Sequence, residues 1–467
     1  MIHSTKVIDK RSNLVYVIPT NNELKNIPSD CEDFVKRFIE SDKKEDFIKT
    51  SRQTIFFVKE QTDLEKMRVA GFNVRKQLDK KEDTLTVIGH NEATLALAEG
   101  LMLANYQFLK YFKDKEEKAY SLKEIYICGN VSEERIKQIS NTIKAVYWAR
   151  DMVNEPVCYL TADQLSKEVE KLGKEAKFSV KVLHKAQIEE LGMGGLLAVN
   201  SGSVLPPTFT VIEYKPANPI NKKPIALVGK GLVFDTGGLS LKPTLGSMDS
   251  MKSDMGGAAC MIGAIYGAAL NQLNVHIMGF IPATDNRPGE NAYTPGDIIK
   301  MYDGTTVEIL NTDAEGRIIL ADAISYANQY EPELIIDAAT LTGAALIVAG
   351  NKASCIMGNA EQQVMDKLIA SGALVHERLV QLPFWDDYKD LLKSTVADMK
   401  NVGGRLAGTI TAGKFLEHFA KYPYVHLDIA GPAFYEEPVD YKGIGGTGTG
   451  IRTLVDFFSK YEDKIER

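Results

Sequence analysis

Apolar and polar positions along this chain follow two alternating patterns. Short runs rich in β-branched and aromatic residues, bounded by polar residues or glycine, predict strands over Asn13–Pro19 (NLVYVIP), Thr54–Val58 (TIFFV), Thr84–Gly89 (TLTVIG) and Glu124–Gly129 (EIYICG). Between them lie stretches with helical spacing, such as Glu92–Phe112. Such alternation predicts an α/β layered domain. A long helix is expected over Ser132–Asn154, with Ile136, Ile139, Ile143, Val146 and Tyr147 near helical spacing and Pro156 just beyond its end.

A second set of strands follows: Ile225–Gly229, Val275–Pro282, Thr305–Leu310, Glu333–Ala339, Ser354–Gly358 and Tyr424–Ala430. Several are apolar throughout, as in strands covered on both faces. A helix is expected over Gly316–Ala327. The resulting division is an N-terminal α/β domain (1–131), a linker helix (132–154) and a second α/β domain (155–467). In open α/β sheets, ligand sites gather beyond the carboxyl ends of the strands.

A length of 467 residues fits two domains. The net charge of -7 offers no footprint for nucleic acid or an anionic membrane. No apolar run approaches the ~18 residues that cross a bilayer, and the N-terminus lacks an apolar signal core. The five cysteines are scattered without CxxC spacing, which fits a reducing, cytoplasmic setting.

The candidate chemistry lies near strand ends. In NTDAEGR (Asn311–Arg317), Asp313 and Glu315 fall in an extended connection, where residues two apart point the same way. Converging carboxylates must protonate, pair with a cation or bind metal. Helix N-capping would also explain acids there. VGKGLVFDTGGLSLKP (Val228–Pro243) adds Lys230, Asp235 and Lys242 among glycines, without the order of a phosphate loop. Taken singly, each lysine reads as a surface lysine. Asp254 precedes a small, apolar, helix-like run and reads as ligand or cap. Together these acids suit hard or borderline divalent ions. HExxH is absent, and His276 reads as a strand or core histidine. GGTGTG (Gly445–Gly450) reads as a turn before a helix.

These stretches, together with MDSMKSDMGGAA (from Met248) and DAATLTGA (Asp337–Ala344), resemble the leucine aminopeptidase (cytosol aminopeptidase) family of two-metal exopeptidases. The likeness covers the chain after about Ala149 and is weaker before it. It implies an N-terminal α/β domain joined by a long helix to a catalytic α/β domain with a mixed central sheet flanked by helices. It implies a homohexamer acting on peptides with a free N-terminus, favouring Leu- or Met-like residues. Lys230, Asp235, Asp254, Asp313 and Glu315 match the family's metal ligands, and Lys242 and Arg317 its catalytic positions. Arg317, Gly316 and Leu341 match the holders of a bicarbonate base; Met251, Asn311, Thr340 and Gly343 match the substrate pocket.

The chemistry so implied is attack by a metal-bridging hydroxide, with Mn²⁺ or Zn²⁺, and Mg²⁺ also suited to the ligands. Lys230 can serve as a ligand only when neutral. Arg317 reads alternatively as a partner of Glu315, and Met251 as a packing residue. Rival readings are phosphoryl transfer, for which no phosphate cradle is present, and a hexameric DNA-binding or scaffold protein, for which no basic stripe is present.

Overall fold

The computed structural model describes residues 1–9, 12–20, 27–50, 53–78 and 83–462. The chain forms two compact units, Met1–Lys144 with Glu437–Ile444, and Ala145–Glu436 with Gly445–Arg467. The division falls inside the helix Glu133–Asn154. Its first turn is capped by Ser132, whose hydroxyl accepts the Arg135 N–H. Glu437–Ile444 joins the first unit, rather than continuing the second as expected. Within that unit Tyr441 is buried and its hydroxyl donates to the Glu65 carboxylate, at 2.8 Å to Oε1.

The first unit carries a six-stranded sheet. Its strands are β1 (Ile2–Thr5), β2 (Asn13–Ile18), β3 (Glu45–Lys49), β4 (Thr54–Lys59), β5 (Thr84–Ile88) and β6 (Glu124–Cys128), in the order β1-β6-β5-β2-β4-β3. All pairs are parallel except β3–β4. The two edge strands were not expected from the sequence. In β3 the burial pattern is half-exposed and polar, because an edge strand packs on one side only. The helix expected over Glu92–Phe112 ends at Ala104. Asn105 stops it: its side chain accepts the Arg75 Nε–H at 2.8 Å and donates to the Leu122 carbonyl at 2.8 Å.

In the second unit the strands are β7 (Ser179–His184), β8 (Thr208–Tyr214), β9 (Ile225–Gly229), β10 (Gly231–Asp235), β11 (Ile277–Asn286), β12 (Ile298–Lys300), β13 (Thr306–Glu308), β14 (Leu334–Ala339), β15 (Ser354–Gly358), β16 (Leu379–Gln381), β17 (Met399–Lys400) and β18 (Tyr424–Asp428). Nine of them build a mixed sheet, β16-β15-β18-β14-β9-β11-β8-β7, with β10 paired to β11. β12, β13 and β17 form a small separate sheet. The core strands β9, β14 and β18 are buried along their whole length and mutually parallel.

Among the helices that pack on this sheet are Gly256–Leu270 and Glu315–Ala327. Both are buried nearly all round. That accounts for sequences rich in Ala, Gly and Ile with little polar face.

Two local outcomes place the site. First, VGKGLVFD is the end of β9 followed by β10, parted at Lys230, rather than a glycine loop. β9 runs beside β14 as far as Lys230, whose N–H still donates to the Ala338 carbonyl at 3.1 Å. The chain then continues as β10 against the far end of β11. Second, β11 extends past Pro282 to Asn286, because β10 pairs with it from Ala283 onward. Proline lacks one ladder donor but does not end the strand.

Candidate metal centre and its supports

Each sequence-singled acid and lysine has a distinct structural seat. Lys230 lies between β9 and β10, and Asp235 ends β10. Asp254 lies in the 3₁₀ turn Met248–Met255, before the buried helix. Asp313 sits in a turn, and Glu315 is the first residue of its helix, N-capped by Ala314. The expected extended i, i+2 geometry of Asp313 and Glu315 is therefore not what unites them. A turn and a helix start do so instead.

These residues converge. Oxygens of Asp235, Asp313 and Glu315 lie within 4.8 Å of one another. The Lys230 ammonium reaches Asp254 Oδ2 at 2.8 Å and Glu315 Oε1 at 3.0 Å, and donates to the Thr340 carbonyl at 3.0 Å. Lys242 reaches Asp235 Oδ2 at 3.0 Å and also pairs with Asp313. Lys230, Asp235, Asp254 and Glu315 are all buried.

Four carboxylates against two ammonium groups leave excess negative charge in a place shielded from water. Burial, then repulsion from Glu315 and Asp235, outweighs Lys230 and pushes Asp254 up to about 8. Burial likewise raises Asp313. Burial opposes the charge on Lys230, but Asp254, Glu315 and Asp235 overcome it and hold the ammonium above its usual range. Glu315 Oε2 is buried without a hydrogen-bond partner among the described residues. A buried carboxylate oxygen with no donor, in an oxygen-rich cluster, is the chemistry that hard divalent cations satisfy.

The loop geometry is tight. Gly237, at φ +85°, turns the chain back so that its N–H donates to Asp235 Oδ1 at 2.8 Å. At Gly316 an added Cβ would lie 2.4 Å from Lys230 Cε, so only glycine admits the lysine.

Arg317 is buried; its Nη1 donates to the Asn401 carbonyl at 2.7 Å, and its Nε–H has no partner among the described residues. Burial lowers the guanidinium to about 10. Leu341 donates its N–H to Asp428 Oδ1 at 3.2 Å. Met251, Asn311 and Thr340 are half-buried, whereas Gly343 is exposed at the start of the helix Gly343–Ala349. Thr340 also donates its hydroxyl to Asp254 Oδ1 at 2.7 Å. His276 is a satisfied buried residue, with Nε2 2.9 Å from Glu213 Oε1. All five cysteines are free.

A reading of acids and lysines misses the uncharged residues that hold them. Thr312, Asn286 and Asn401 are essentially fully buried among these loops. Asn401 donates to the Asn311 carbonyl at 2.7 Å and accepts the Leu310 N–H at 2.9 Å. The available signal is a polar residue at the end of an apolar strand, as in IPATDN.

A largely buried cluster of carboxylates and lysines, of a kind that could hold a metal ion, marks this α/β unit. Residues 147–455 match the cytosol aminopeptidase family, catalytic domain, and the chain belongs to that family. It is 50% identical over 316 residues to a probable cytosol aminopeptidase of Chlorobium phaeobacteroides, covering 67% of this chain and 62% of that protein. The chain thus spans less than two thirds of that relative's length. It is 45% identical over 396 residues to a probable cytosol aminopeptidase of Chlorobaculum tepidum, covering 82% and 76%. Among solved structures it is similar to the bottromycin maturation enzyme BotP in complex with Mn, with TM-score 0.85, 29% identity and coverage of 96% and 99%. It is equally similar to a tomato leucine aminopeptidase mutant, with TM-score 0.85, 26% identity and coverage of 98% and 96%.

Proposed function

We propose that the protein is a metal-dependent aminopeptidase that releases unblocked N-terminal residues, Leu- or Met-like ones first, from peptides. The observation that carries this reading is the convergence of Asp235, Asp254, Asp313, Glu315 and Lys230 in one buried cluster. These five would hold two divalent cations, Mn²⁺ or Zn²⁺, with Mg²⁺ also suited to the oxygen donors. When bound, such a pair supplies Lewis acidity, a water of lowered pKa and an anchor for a free α-amine.

The chain's own groups divide the remaining work. Lys242 keeps a fixed positive charge beside the cluster, placed to donate to the oxyanion that develops on the scissile carbonyl. Lys230 must give up its proton to act as a ligand, since an ammonium has no lone pair. Arg317 offers its unpartnered Nε–H to a planar anion, and bicarbonate held there, beside Gly316 and Leu341, would accept the proton of the attacking water. Met251, Asn311, Thr340 and Gly343 would line the side-chain pocket. A role in intracellular peptide turnover follows from the activity. No helix among the described residues is long and apolar enough to cross a membrane.

Assembly into a homohexamer belongs to the same reading. Leu346, Ile347 and Val348 form an exposed apolar ridge on the helix Gly343–Ala349, with Ile347 88% exposed. Light scattering on the purified protein reads the assembly directly. The activity test compares Leu-p-nitroanilide with its N-acetyl form, with Mn²⁺, Zn²⁺ or chelator. Metal-dependent cleavage of the free-amine substrate alone is expected; equal cleavage of the blocked substrate refutes an anchored α-amine.

A further inference from the structure

The segments that carry Asp235 and Asp313 do not meet through their acids alone. Asn286, the last residue of β11, is completely buried between them. Its amide nitrogen donates to Asp235 Oδ1 at 2.8 Å and to the Thr312 carbonyl at 3.0 Å. Both neighbours are acceptors, so only the NH₂ edge can face them, and each of its two hydrogens serves a different loop. This orientation leaves Asn286 Oδ1 buried without a partner among the described residues. A buried oxygen without a donor carries an uncompensated desolvation penalty. Its retention indicates that the two donations outweigh it.

The consequences fall on Asp235 and Asp313. Asp235 Oδ1 receives two N–H groups, from Gly237 and Asn286, both at 2.8 Å. With one oxygen so held, the other is aimed at the cluster, where Lys242 now meets it at 3.0 Å. Thr312, adjacent to Asp313, is held from four sides. Its carbonyl accepts from Asn286 and from the Tyr293 hydroxyl at 2.8 Å. Its own hydroxyl donates to the Gly237 carbonyl at 2.7 Å and accepts the Ser240 N–H at 2.8 Å.

We infer that Asn286 is a positioning residue for the cation pair: by donating to Asp235 and Thr312 at once, it sets the aim of Asp235 and ties the Asp313–Glu315 loop to it. The inference rests on the metal-dependent reading above. Neither aspartate nor leucine can replace the residue, since one would turn acceptors against acceptors and the other would donate nothing. Thr312 is the second half of the same clasp.

The test is calorimetric titration of MnCl₂ into the chelator-stripped full-length protein, comparing wild type, Asn286→Ala and Thr312→Val, with circular dichroism of each. Wild type is expected to bind Mn²⁺, and each variant to bind it about 10- to 100-fold more weakly while keeping its fold, the usual consequence of losing a residue that orients a ligand. Excess Mn²⁺ should restore much of the lost turnover, which a merely structural defect would not permit. Folded variants with Kd within twofold of wild type overturn the inference and leave the metal-dependent reading intact. So does a variant that fails to fold while its companion binds Mn²⁺ normally. Wild-type protein that takes up no Mn²⁺ overturns the metal-dependent reading itself, and the inference with it.

Discussion

His426 and Asp337 lie side by side on the parallel strands β18 and β14, completely buried, with Nδ1 2.8 Å from Oδ1. Burial by itself would lower the imidazole pKa, but Asp337 outweighs it and holds the histidine above its usual value, with Asp428 assisting and Arg317 opposing. The folded pKa thus exceeds the unfolded one. The stability this pair contributes is fully present below about pH 6.5 and is lost as pH rises through the folded value. Replacing His426 with Gln should therefore destabilise most at pH 6, by about 3 kcal/mol for a broken buried pair. The gap to wild type should narrow towards pH 9. Urea melts at the two pH values measure it; a gap that widens with pH contradicts the assignment.

Gly316→Ala places a methyl group 2.4 Å from Lys230 Cε. The lysine cannot step aside without leaving Asp254, Glu315 and the Thr340 carbonyl. Turnover of Leu-p-nitroanilide should fall by about 100-fold, as expected when a site is displaced by about an ångström. Stability should fall as well, by about 2 kcal/mol, because separating the buried Lys230 from Asp254 and Glu315 costs about 3 kcal/mol and Ala recovers only about 1 kcal/mol over Gly within a helix. Thermal melts and steady-state kinetics on the same preparation separate the two effects.

Removing the Asn401 side chain should slow turnover without weakening Mn²⁺ binding. Its amide braces Asn311 and Leu310, and its carbonyl receives Arg317, but it touches none of the proposed ligands. For Asn401→Ala, kcat should drop about 10- to 100-fold, while the Mn²⁺ titration curve overlays wild type. A matching loss of metal affinity would move Asn401 into the ligand support.

Glu315→Gln keeps the shape of the side chain and removes its charge. Turnover should fall at least about 100-fold and Mn²⁺ affinity with it, while the circular dichroism spectrum stays that of the wild type. Full activity in this variant would dismiss Glu315 as a ligand.

Much of this was legible in the chain because it is local. The apolar runs of β2, β4, β9, β14, β15 and β18 announce themselves, since a strand covered on both faces must be apolar at every position. β1 and β3 lie at sheet edges, where pairing is on one side only and the sequence is free to be polar. The end of the helix at Ala104 depended on Asn105 finding Arg75 and Leu122, partners remote in sequence. β10 was hidden by its flanking glycines, and only the edge offered by β11 made it a strand.

What the amino-acid order determined by itself was the inventory: alternating strands and helices, and a set of acids and lysines close to strand ends. What the tertiary structure alone decided was their meeting and their aim. Asp235, Asp254 and Glu315 come together through a strand extension, a 3₁₀ turn and a helix start, Lys230 joining the last two and Asn286 directing the first. The physical reason is that a carboxylate's charge belongs to its residue type, whereas its direction is set by donors that arrive from distant parts of the chain.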